Sequence, residues 1–513
     1  MLPDNLGYLF ETALALTPSR PAVFQGDTVV TFADLDARAN RVANALAGLG
    51  MGAGERVALM FDNDWRFLES LLGPMRLGAV PVPLNIRMGD EALRYVVEDS
   101  EARVLVASAG MTDRARALAA ALPGVKHLIV GGRATPGVLA YEPLLAAASP
   151  ALARRRTDRD EVCMQPYTSG STGKPKGVLP THGGQVWNAD IIRKAILCDD
   201  TERALVAVPL YHKNAMAGAV KPFLLAGGSV AILPGFDARE VIRAIDRHRI
   251  TYLTGVPAMY KMILGEKDTL ARHDVSSVRY ALCGSAEVPD ELLAEFCRVF
   301  GAPIAESYGL TEGGPVPVIN TRWGLKKRGS CGIEFPGCDV KLVDDAGRPV
   351  GVDEIGELVT RNPGVARGYW KLADVWARKY RDGWLHTGDL MRRDADGYYY
   401  FVGRKDDMIN VAGENVYPKE VEDVLLRHPN LRDACVVPVP HDVKGEVPVA
   451  FVVEREKGGT GEDEVKRFFL ERGAPYAHPR RIYFLDALPL GGTGKIDRAA
   501  LRARARELGT GAV

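Results

Sequence analysis

The chain contains, at positions 168–177, the run Thr168-Ser169-Gly170-Ser171-Thr172-Gly173-Lys174-Pro175-Lys176-Gly177. Glycine lets a backbone turn tightly and brings its N–H groups close to an anion. Ser and Thr hydroxyls add hydrogen-bond donors, and lysine adds positive charge. The run therefore predicts a loop that binds a polyphosphate. The alternative is an ordinary surface turn, which Gly/Ser/Thr clusters often form.

This loop differs from the Walker A loop of P-loop NTPases. That motif needs a glycine five positions before its Gly-Lys pair and a Ser or Thr directly after the lysine. Here Thr168 stands five positions before Gly173, and Pro175 follows Lys174. The sequence therefore disfavours a P-loop NTPase.

Composition and charge indicate a globular protein of several folding units. Of its 513 residues, 47% are hydrophobic and 25% are charged, which is ordinary for this class. Such a length suggests roughly two to four folding units. Lys+Arg and Asp+Glu both number 65, and the resulting zero net charge argues against a nucleic-acid partner bound by bulk charge.

The cysteine pattern and the N-terminal sequence allow a prediction of the cellular compartment. The seven cysteines form no C-x-x-C pair, and the nine histidines show no metal-ligand spacing. These patterns predict a reduced, cytoplasmic compartment and no structural metal. The N-terminus lacks the basic region and apolar core of a signal peptide. No apolar run of about 18 residues occurs, so we expect no transmembrane segment.

Apolar runs alternate with helical patterns through the first part of the chain, which predicts α/β layers with a largely parallel sheet. We expect a hairpin from Phe24 to Thr31, with Thr31 capping a helix that ends at Leu49. Further strands are expected at 57–60, 80–84, 104–106, 127–130, 204–209 and 278–282, and helices at 65–78, 182–197 and 289–300.

The composition changes after residue 329. From there to about residue 401, short strands alternate with Gly/Pro/Asp turns, which predicts a β-rich subdomain. We place a domain boundary between residues 404 and 405. Residues 1–404 would form a large N-terminal domain and residues 405–513 a small α+β C-terminal domain.

Five more segments with chemically useful side chains follow the glycine-rich loop. An aromatic ring can stack on a purine, and a carboxylate can bind Mg²⁺ or the two hydroxyls of a ribose. A glycine-rich loop can deliver one lysine into a closed site. Each segment taken alone has an ordinary explanation as a turn or a surface charge. The segments are Gly284-Ser285-Ala286, Tyr308-Gly309-Leu310-Thr311-Glu312, Trp384-Leu385-His386-Thr387-Gly388-Asp389, Gly403-Arg404 and Pro489-Leu490-Gly491-Gly492-Thr493-Gly494-Lys495-Ile496.

In this order the six motifs resemble those of the adenylate-forming superfamily, which includes acyl-CoA synthetases, luciferases and peptide-synthetase adenylation domains. The resemblance covers nearly the whole chain. It implies that ATP, Mg²⁺ and coenzyme A are bound. It implies a nucleotide site made of Thr168, Ser169, Gly170, Ser171, Thr172, Gly173, Lys174, Gly284, Ser285, Ala286, Glu306, Ser307, Tyr308, Gly309, Thr311, Asp389, Arg404 and Lys495.

The resemblance also implies particular roles. Glu312, with Thr172, would hold the metal ion, and Lys495, Thr172 and Lys176 would stabilise charge on the α-phosphate and the attacking carboxylate. The C-terminal domain would be mobile and would turn about Asp406. Gly413 and Glu414 would then face the pantetheine tunnel.

The acid pocket is expected, by the same resemblance, to include Trp187, His212, Lys213, Asn214, Met216, Val256, Gly284, Gly309 and Pro315. His212 would lie beside the carboxylate and gate the pocket. Ser307 precedes Tyr308 where malonate-activating relatives carry arginine, which disfavours a small dicarboxylic acid. Lys213 would either meet a polar group of the substrate or point outward.

The resulting hypothesis is an ATP-dependent acyl-CoA synthetase that activates a small or medium monocarboxylic acid, aliphatic or aromatic, as a monomer or homodimer. One alternative is a stand-alone adenylation enzyme that loads a carrier protein, or a luciferase-like oxidase. Another is a non-catalytic nucleotide-binding protein. The presence of both Glu312 and Lys495 argues against that last class.

Overall fold

The structure, a computed structural model, describes residues 2–168, 174–284, 288–314, 316–490 and 496–508. The chain divides into two units. The first comprises Met1–Val340, Val359–Thr387 and Asp396–Tyr399, and the second comprises Lys341–Leu358, Gly388–Ala395 and Tyr400–Val513. The boundary that we placed between residues 404 and 405 stays a prediction.

The α-helices are, in chain order, α1 (Glu11–Leu16), α2 (Phe32–Gly48), α3 (Arg66–Leu77), α4 (Asp90–Asp99), α5 (Thr112–Ala120), α6 (Tyr141–Ala147), α7 (His182–Ala195), α8 (Lys213–Ala215), α9 (Lys221–Ala226), α10 (Ala238–His248), α11 (Pro257–Gly265), α12 (Lys267–Leu270), α13 (Asp290–Phe300), α14 (Ala373–Lys379), α15 (Pro418–Leu425), α16 (Glu462–Leu470) and α17 (Arg498–Glu507). A π-helical segment, Met216–Val220, joins α8 to α9. Short 3-10 helices lie at Leu6–Tyr8, Ala109–Met111, Lys405–Asp407 and Pro475–Ala477.

The strands of the first part of the chain are β1 (Pro21–Gln25), β2 (Thr28–Thr31), β3 (Arg56–Met60), β4 (Val80–Pro83), β5 (Val104–Ala107), β6 (His127–Val130), β7 (Val138–Ala140), β8 (Tyr167–Thr168), β9 (Lys176–Gly177), β10 (Arg203–Val206), β11 (Ser229–Ile232), β12 (Tyr252–Gly255), β13 (Tyr280–Gly284), β14 (Ile304–Tyr308), β15 (Val318–Ile319) and β16 (Ile333–Glu334). They are followed by β17 (Asp339–Val343), β18 (Gly356–Arg361), β19 (Tyr380–Arg381), β20 (Trp384–Arg393), β21 (Tyr399–Arg404), β22 (Ile409–Val411), β23 (Glu414–Val416), β24 (Leu431–His441), β25 (Gly445–Glu454) and β26 (Ile482–Phe484).

Two large sheets organise the first unit. One has the strand order β4-β3-β5-β6-β7 with every pair parallel. The other has the order β16-β15-β14-β13-β12-β10-β11-β1-β2, in which the strands from β14 to β1 run parallel. Parallel strands are normally covered on both faces, and the strands at the centre of these sheets are accordingly buried. The α/β prediction is confirmed.

The predicted N-terminal hairpin and helix cap are both present. β1 pairs with β2 in antiparallel fashion. The Asp34 N–H donates to Thr31 Oγ1 at 3.1 Å, and the Thr31 N–H donates to Asp34 Oδ2 at 3.2 Å. This reciprocal capping box fixes the start of α2.

One predicted strand, 204–209, is shorter in the structure because a side chain replaces a strand partner. β10 ends at Val206. Beyond it, Asn63 Nδ2 donates to the Val208 carbonyl, and the Leu210 N–H donates to Asn63 Oδ1, both at 3.0 Å. Backbone groups that would continue the ladder are thus satisfied by an amide from another segment.

The second unit contains a sheet with the order β23-β22-β25-β24, and β26 pairs with β25. Helices α15 and α17 contribute buried apolar side chains to the core on this sheet, among them Val421, Leu425 and Leu501. A further sheet has the order β17-β18-β20-β19, with β21 paired to β20. This confirms the predicted strand-rich region and the α+β character of the C-terminal part. None of the helices within the described residues combines the length and the apolar character needed to cross a membrane.

Candidate active site

Two short antiparallel strands, which form a hairpin, flank the glycine-rich run. β8 and β9 are antiparallel, and Thr168 lies opposite Lys176. Lys176 Nζ lies 5.8 Å from the centroid of the Tyr369 ring, and Lys174 Nζ lies 5.2 Å from that of Tyr95. The predicted phosphate-binding residues between the strands, Ser169, Gly170, Ser171, Thr172 and Gly173, lie outside the described residues.

Partly buried hydrogen bonds hold this hairpin in place. The Tyr167 hydroxyl donates to Asp99 Oδ2 at 2.6 Å and accepts from Gln165 Nε2 at 3.0 Å. Burial, with Asp99 as the next cause, raises the pKa of Tyr167 far above its ordinary value. The phenol therefore stays protonated and keeps donating to Asp99.

Glu312 lies beside the hairpin and is 9% exposed. Its Oε1 accepts a hydrogen bond from the Tyr369 hydroxyl at 2.8 Å and another from Thr168 Oγ1 at 3.3 Å. Two hydroxyl donors on one oxygen fix the orientation of the carboxylate. The structure thus brings Thr168, Lys176 and Glu312 together, and their roles stay predictions.

The carboxylate of Glu312 fits a magnesium ion. Among the described residues no side chain bonds to Oε2, so this oxygen can serve as a ligand. Mg²⁺ prefers hard oxygen ligands and is usually held by one or two carboxylates together with substrate phosphates. In the described ranges no group of three or more His, Cys, Asp or Glu side chains is arranged to hold a metal ion.

The predicted nucleotide residues of β13 and β14 lie at the carboxyl ends of neighbouring parallel strands. Gly284 pairs with Ser307, and the next pair back is Cys283 with Glu306. Glu306 Oε1 accepts from the Val288 N–H at 3.0 Å. Ligands of α/β sheets bind at such strand ends. Two other predicted residues here, Ser285 and Ala286, lie outside the described residues.

Tyr308 and Thr311 follow on the same segment. Tyr308 ends β14 and is 9% exposed, and Thr311 is half-buried directly before Glu312. A buried aromatic ring at a strand end suits stacking on a purine. The nucleotide roles of both residues stay predictions.

Two of the predicted acid-pocket residues, His212 and Asn214, are joined by a hydrogen bond, and a third, Gly284, lies beside Asn214. His212 Nδ1 accepts from the Asn214 N–H at 3.2 Å and caps α8. Asn214 Oδ1 accepts from the Thr254 hydroxyl. A Cβ built on Gly284 would lie 3.4 Å from Asn214 Nδ2. His212, Asn214 and Gly284 therefore surround one region at the ends of β12 and β13.

Lys213 reaches into the same region. Its ammonium donates a hydrogen bond to the carbonyl of Gly309, and its side chain is half-buried. The alternative that Lys213 points outward is therefore wrong. The Gly309 carbonyl, directly after β14, accepts a hydrogen bond from the ammonium in place of water.

The remaining pocket candidates occupy separate positions. Trp187 lies on α7 with its ring near Gly337, whose built Cβ would lie 3.5 Å away. Met216 begins the π-helical segment, and Val256 precedes α11. Their contact with an acid stays a prediction, and Pro315 lies outside the described residues.

In the second unit, the predicted ribose carboxylate and arginine lie close together. Arg404 Nε is 3.6 Å from Asp389 Oδ1, and Asp389 is 8% exposed. Gly388 has a φ of 75°, and its N–H donates to Glu357 Oε1 at 3.0 Å. This left-handed turn, which glycine adopts without strain, sets the direction of Asp389.

The predicted hinge residue lies between two anchored neighbours. Lys405 Nζ is 2.7 Å from Asp345 Oδ1, and the hydrogen bond between them raises the pKa of Lys405. On the other side, Arg502 Nη2 donates to Asp407 Oδ1 at 2.6 Å. Asp406 stands between them in the 3-10 helix Lys405–Asp407.

The predicted pantetheine-facing residues form a tight hairpin between β22 and β23. Val411 pairs with Glu414, and Ala412 and Gly413 between them have φ values of 53° and 96°. The Gly413 N–H donates to Asn410 Oδ1 at 3.0 Å. Gly413 and Glu414 are both exposed. The catalytic Lys495 that we predicted lies outside the described residues.

Three residues that contact predicted site residues, two in the first unit and one in the second, were missed by sequence reasoning. Tyr369 holds Glu312, Thr254 holds Asn214, and Glu357 accepts from the Gly388 N–H. Tyr369 follows a glycine in a turn-rich stretch that we read only as part of a β-rich region. Each of these contacts joins residues that are far apart in the sequence, so no local sequence pattern indicates it.

Comparison with known proteins gives a family for this arrangement. The model of the AMP-binding enzymes matches residues 10–370, and that of the AMP-binding enzyme C-terminal domain matches residues 420–495. A feruloyl-CoA synthase of an Amycolatopsis species is 38% identical over 95% of this chain and 96% of its own length.

Two further proteins show the range of similar sequences. A medium/long-chain fatty-acid–CoA ligase of Mycobacterium tuberculosis is 34% identical over 98% of this chain and 90% of its own length. The crystal structure of an anthranilate CoA ligase in complex with anthranoyl-AMP superposes with a TM-score of 0.89, at 30% identity, over 98% of both chains.

Proposed function

We propose an acid substrate and a set of catalytic roles for this chain from one premise, that it belongs to the AMP-binding enzymes of the adenylate-forming superfamily. It is an AMP-forming acid–CoA ligase that uses ATP, Mg²⁺ and coenzyme A. The substrate is a carboxylic acid that bears an aromatic ring with a hydrogen-bond acceptor, such as a hydroxycinnamate.

The reaction has two steps. In the first, a carboxylate oxygen bonds to the α-phosphorus of ATP, the bond to the bridging oxygen breaks, and pyrophosphate leaves. In the second, the CoA sulfur bonds to the acyl carbon, the thiol proton is lost to solvent, and AMP leaves. A carboxylate is already ionised at neutral pH, so the first step needs no general base.

We assign the phosphate end of the first step to the hairpin and Glu312. Lys176 and the residues from Thr168 to Lys174 would bind phosphate oxygens. Glu312 would hold Mg²⁺, which offsets phosphate charge when bound. The support is the Glu312 carboxylate, held through Oε1 by two hydroxyls, with Oε2 available in the described part of the chain.

The observation that carries the choice of acid is the half-buried ammonium of Lys213, hydrogen-bonded to the Gly309 carbonyl. A purely alkyl chain packed here would remove solvent from this cation and offer no acceptor in return, which is costly. An oxygen on an aromatic ring would accept a hydrogen bond from it. The feruloyl-CoA synthase and anthranilate ligase relatives agree with an aromatic acid.

An acid panel with a Lys213→Met variant tests this choice. We expect kcat/KM of the unmodified enzyme for 4-hydroxycinnamate and ferulate to exceed that for cinnamate and octanoate. In Lys213→Met the ratio of kcat/KM for the hydroxylated acids to that for cinnamate should fall about 10- to 100-fold, since one lost hydrogen bond to a charged group is worth about 1.5–3 kcal/mol. Lys261→Met, which changes an exposed lysine of α11, should leave the ratio unchanged. An identical acid profile in Lys213→Met contradicts the proposal.

We assign Lys495 to the first step and not to the second. We expect Lys495→Ala to abolish acyl-adenylate formation while largely sparing thioester formation from a synthetic acyl-adenylate. Lys457→Ala, at a side chain that is 85% exposed, is the control. Replacing CoA by a phosphopantetheinyl carrier protein in the same assay tests the carrier-loading alternative. Equal loss of both half-reactions in Lys495→Ala would remove this lysine from its proposed role.

We further propose that the enzyme works in the cytoplasm, without a nucleic-acid partner, as a monomer or homodimer. ATP and CoA are available there, and all seven cysteines are free thiols, as in a reducing compartment. Zero net charge offers no bulk attraction for nucleic acid. Light scattering at working concentration checks the oligomeric state.

A further inference from the structure

The first unit contains a cavity of about 360 Å³. Its lining includes Tyr369, which holds Glu312, but none of the site residues predicted from the sequence. It lies between the first residue of β3 and the segment that runs from Arg367 into α14. Its walls include Arg56, Arg367, Trp370 and Trp376, and small or apolar residues complete it. Pockets for small molecules have volumes of roughly 300–1,000 Å³, so this cavity can hold one.

One of its cations is fixed and partly desolvated. The guanidinium of Arg56 lies over the Trp370 ring, 3.6 Å from its centroid. Its Nε donates to Gln165 Oε1 at 3.2 Å, and its Nη1 donates to the Gly54 carbonyl at 2.8 Å. Nη2 has no hydrogen-bond partner among the described residues. Burial lowers the pKa of Arg56, and an anion at Nη2 would offset that cost.

The second cation, Arg367, belongs to the segment that forms the opposite wall. Its backbone N–H donates to the Leu179 carbonyl at 2.8 Å, which anchors the residue. Its exposed side chain makes no hydrogen bond or ion pair with any described residue. Arginine stays charged at physiological pH and presents a planar fork that matches a carboxylate or sulfonate. Two guanidinium groups thus line one cavity without a carboxylate among its lining residues.

The cavity also offers flat apolar walls. The Trp376 ring lies edge-on to Tyr369, with centroids 5.3 Å apart at 89°, and stacks on Tyr380 at 5.9 Å and 10°. Ala373 and Ala377 lie one turn apart on α14, so this helix face carries little bulk. Aromatic rings favour offset or edge-on contacts with one another. The walls therefore suit a planar aromatic ligand.

We propose that this cavity is a binding site for a small aromatic anion, an arene carboxylate or sulfonate. The anionic group binds to Arg367 and to Nη2 of Arg56, and the ring packs against Trp376. The site is separate from the acid pocket, since none of His212, Lys213 and Asn214 lines it.

Titration of the full-length protein with naphthalene-2-sulfonate, followed by calorimetry, tests the proposal. This probe is an aromatic anion but has no carboxylate to activate. We expect saturable binding whose Kd rises about tenfold in Arg367→Ala, the loss of roughly one charged contact. Arg378→Ala removes an exposed arginine of α14 that does not line the cavity, and its Kd should equal that of the unmodified protein.

A second variant and a competition experiment distinguish binding in the cavity from binding in the acid pocket. Ala377→Trp fills the cavity without removing charge and should abolish binding while the melting temperature is retained. Binding in the acid pocket would make the sulfonate a competitive inhibitor against the acid substrate, whereas binding in the cavity would not. The proposal is overturned by an unchanged Kd in Arg367→Ala, by no binding at millimolar probe, or by complete competition with the acid.

Discussion

Lys221 lies in the interior of the first unit, where a charged ammonium is costly. It is 2% exposed, and its Nζ donates to Gln185 Oε1 at 2.5 Å. Burial lowers the pKa of Lys221 from 10.5 to about 8. Between these two pH values the unfolded chain binds a proton that the folded chain does not. The free energy of unfolding therefore rises with pH in this window, and the burial penalty is fully present below it.

A Lys221→Met variant should show this pH dependence. At pH 7 the wild type carries a penalty on the order of 3–4 kcal/mol, because the pKa falls from 10.5 to about 8 and one pH unit corresponds to about 1.4 kcal/mol. We expect the difference in the free energy of unfolding, variant minus wild type, to fall by about this amount from pH 7.5 to about pH 10.5. Denaturant titrations at several pH values measure it. The exposed Lys261→Met is the control, and parallel pH profiles of Lys221→Met and wild type would contradict the assignment.

The sequence indicates some site residues but not the partners that hold them. Glu312 was predictable because it lies in a short motif whose neighbours have related chemistry. Its partner Tyr369 was not, since 57 positions separate the two residues and only the folded chain brings them together. The orientation of Lys213 was undecided for the same reason: the Gly309 carbonyl is 96 positions away.

At the scale of elements, the hairpin at Ala412 and Gly413 is defined by backbone geometry. Both residues have positive φ values, as two-residue hairpin turns of the type I′ require. A Cβ at Gly413 meets no atom within 4 Å, so a substitution there is opposed by conformation and not by space.

Gly413→Ala should therefore lower the free energy of unfolding by about 1 kcal/mol. If the hairpin faces pantetheine, the variant should also slow thioester formation more than adenylation. Gly458→Ala is the matched control, because Gly458 has a φ of 76° and open space around it in the same unit. Rapid-quench assays of both half-reactions decide. The same kinetic effect from Gly458→Ala would mean that only stability is involved.

Elements were predictable where an apolar run has clear polar boundaries. Strand β6 has the predicted bounds, His127–Val130, because it is a short apolar run between polar segments. Two-residue strands such as β8 and β15 were not predicted, since two residues show no periodicity. The π-helical segment Met216–Val220 was missed as well, because its pattern does not differ from that of an α-helix over so few residues.

At the scale of the whole molecule, we propose that the chain turns about Asp406 between the two steps, as the resemblance to the adenylate-forming enzymes implies. In the structure Asp406 lies between Lys405 and Asp407, which form ion pairs with Asp345 and Arg502. A hinge needs only a few residues to change φ and ψ.

Asp406→Pro should hold the chain near one conformer, because proline fixes φ near −65°. We expect near-normal pyrophosphate release from acid and ATP and a severe loss of thioester formation. Asp406→Ala, which leaves φ unrestricted, should support both steps. Single-turnover measurement of each half-reaction distinguishes the variants. Two fast steps in the proline variant would exclude Asp406 as the pivot.

The large sheet of the first unit has a consequence for synthesis on the ribosome. Strand β1 pairs in parallel with β11, so that Val23 lies beside Val230. At roughly 5–20 residues per second, about 10–40 s pass between the appearance of these two strands. During that time β1 has β2 on one side and an unpaired apolar edge on the other. Because such edges are templates for aggregation, nascent chains shorter than about 230 residues should depend on chaperones.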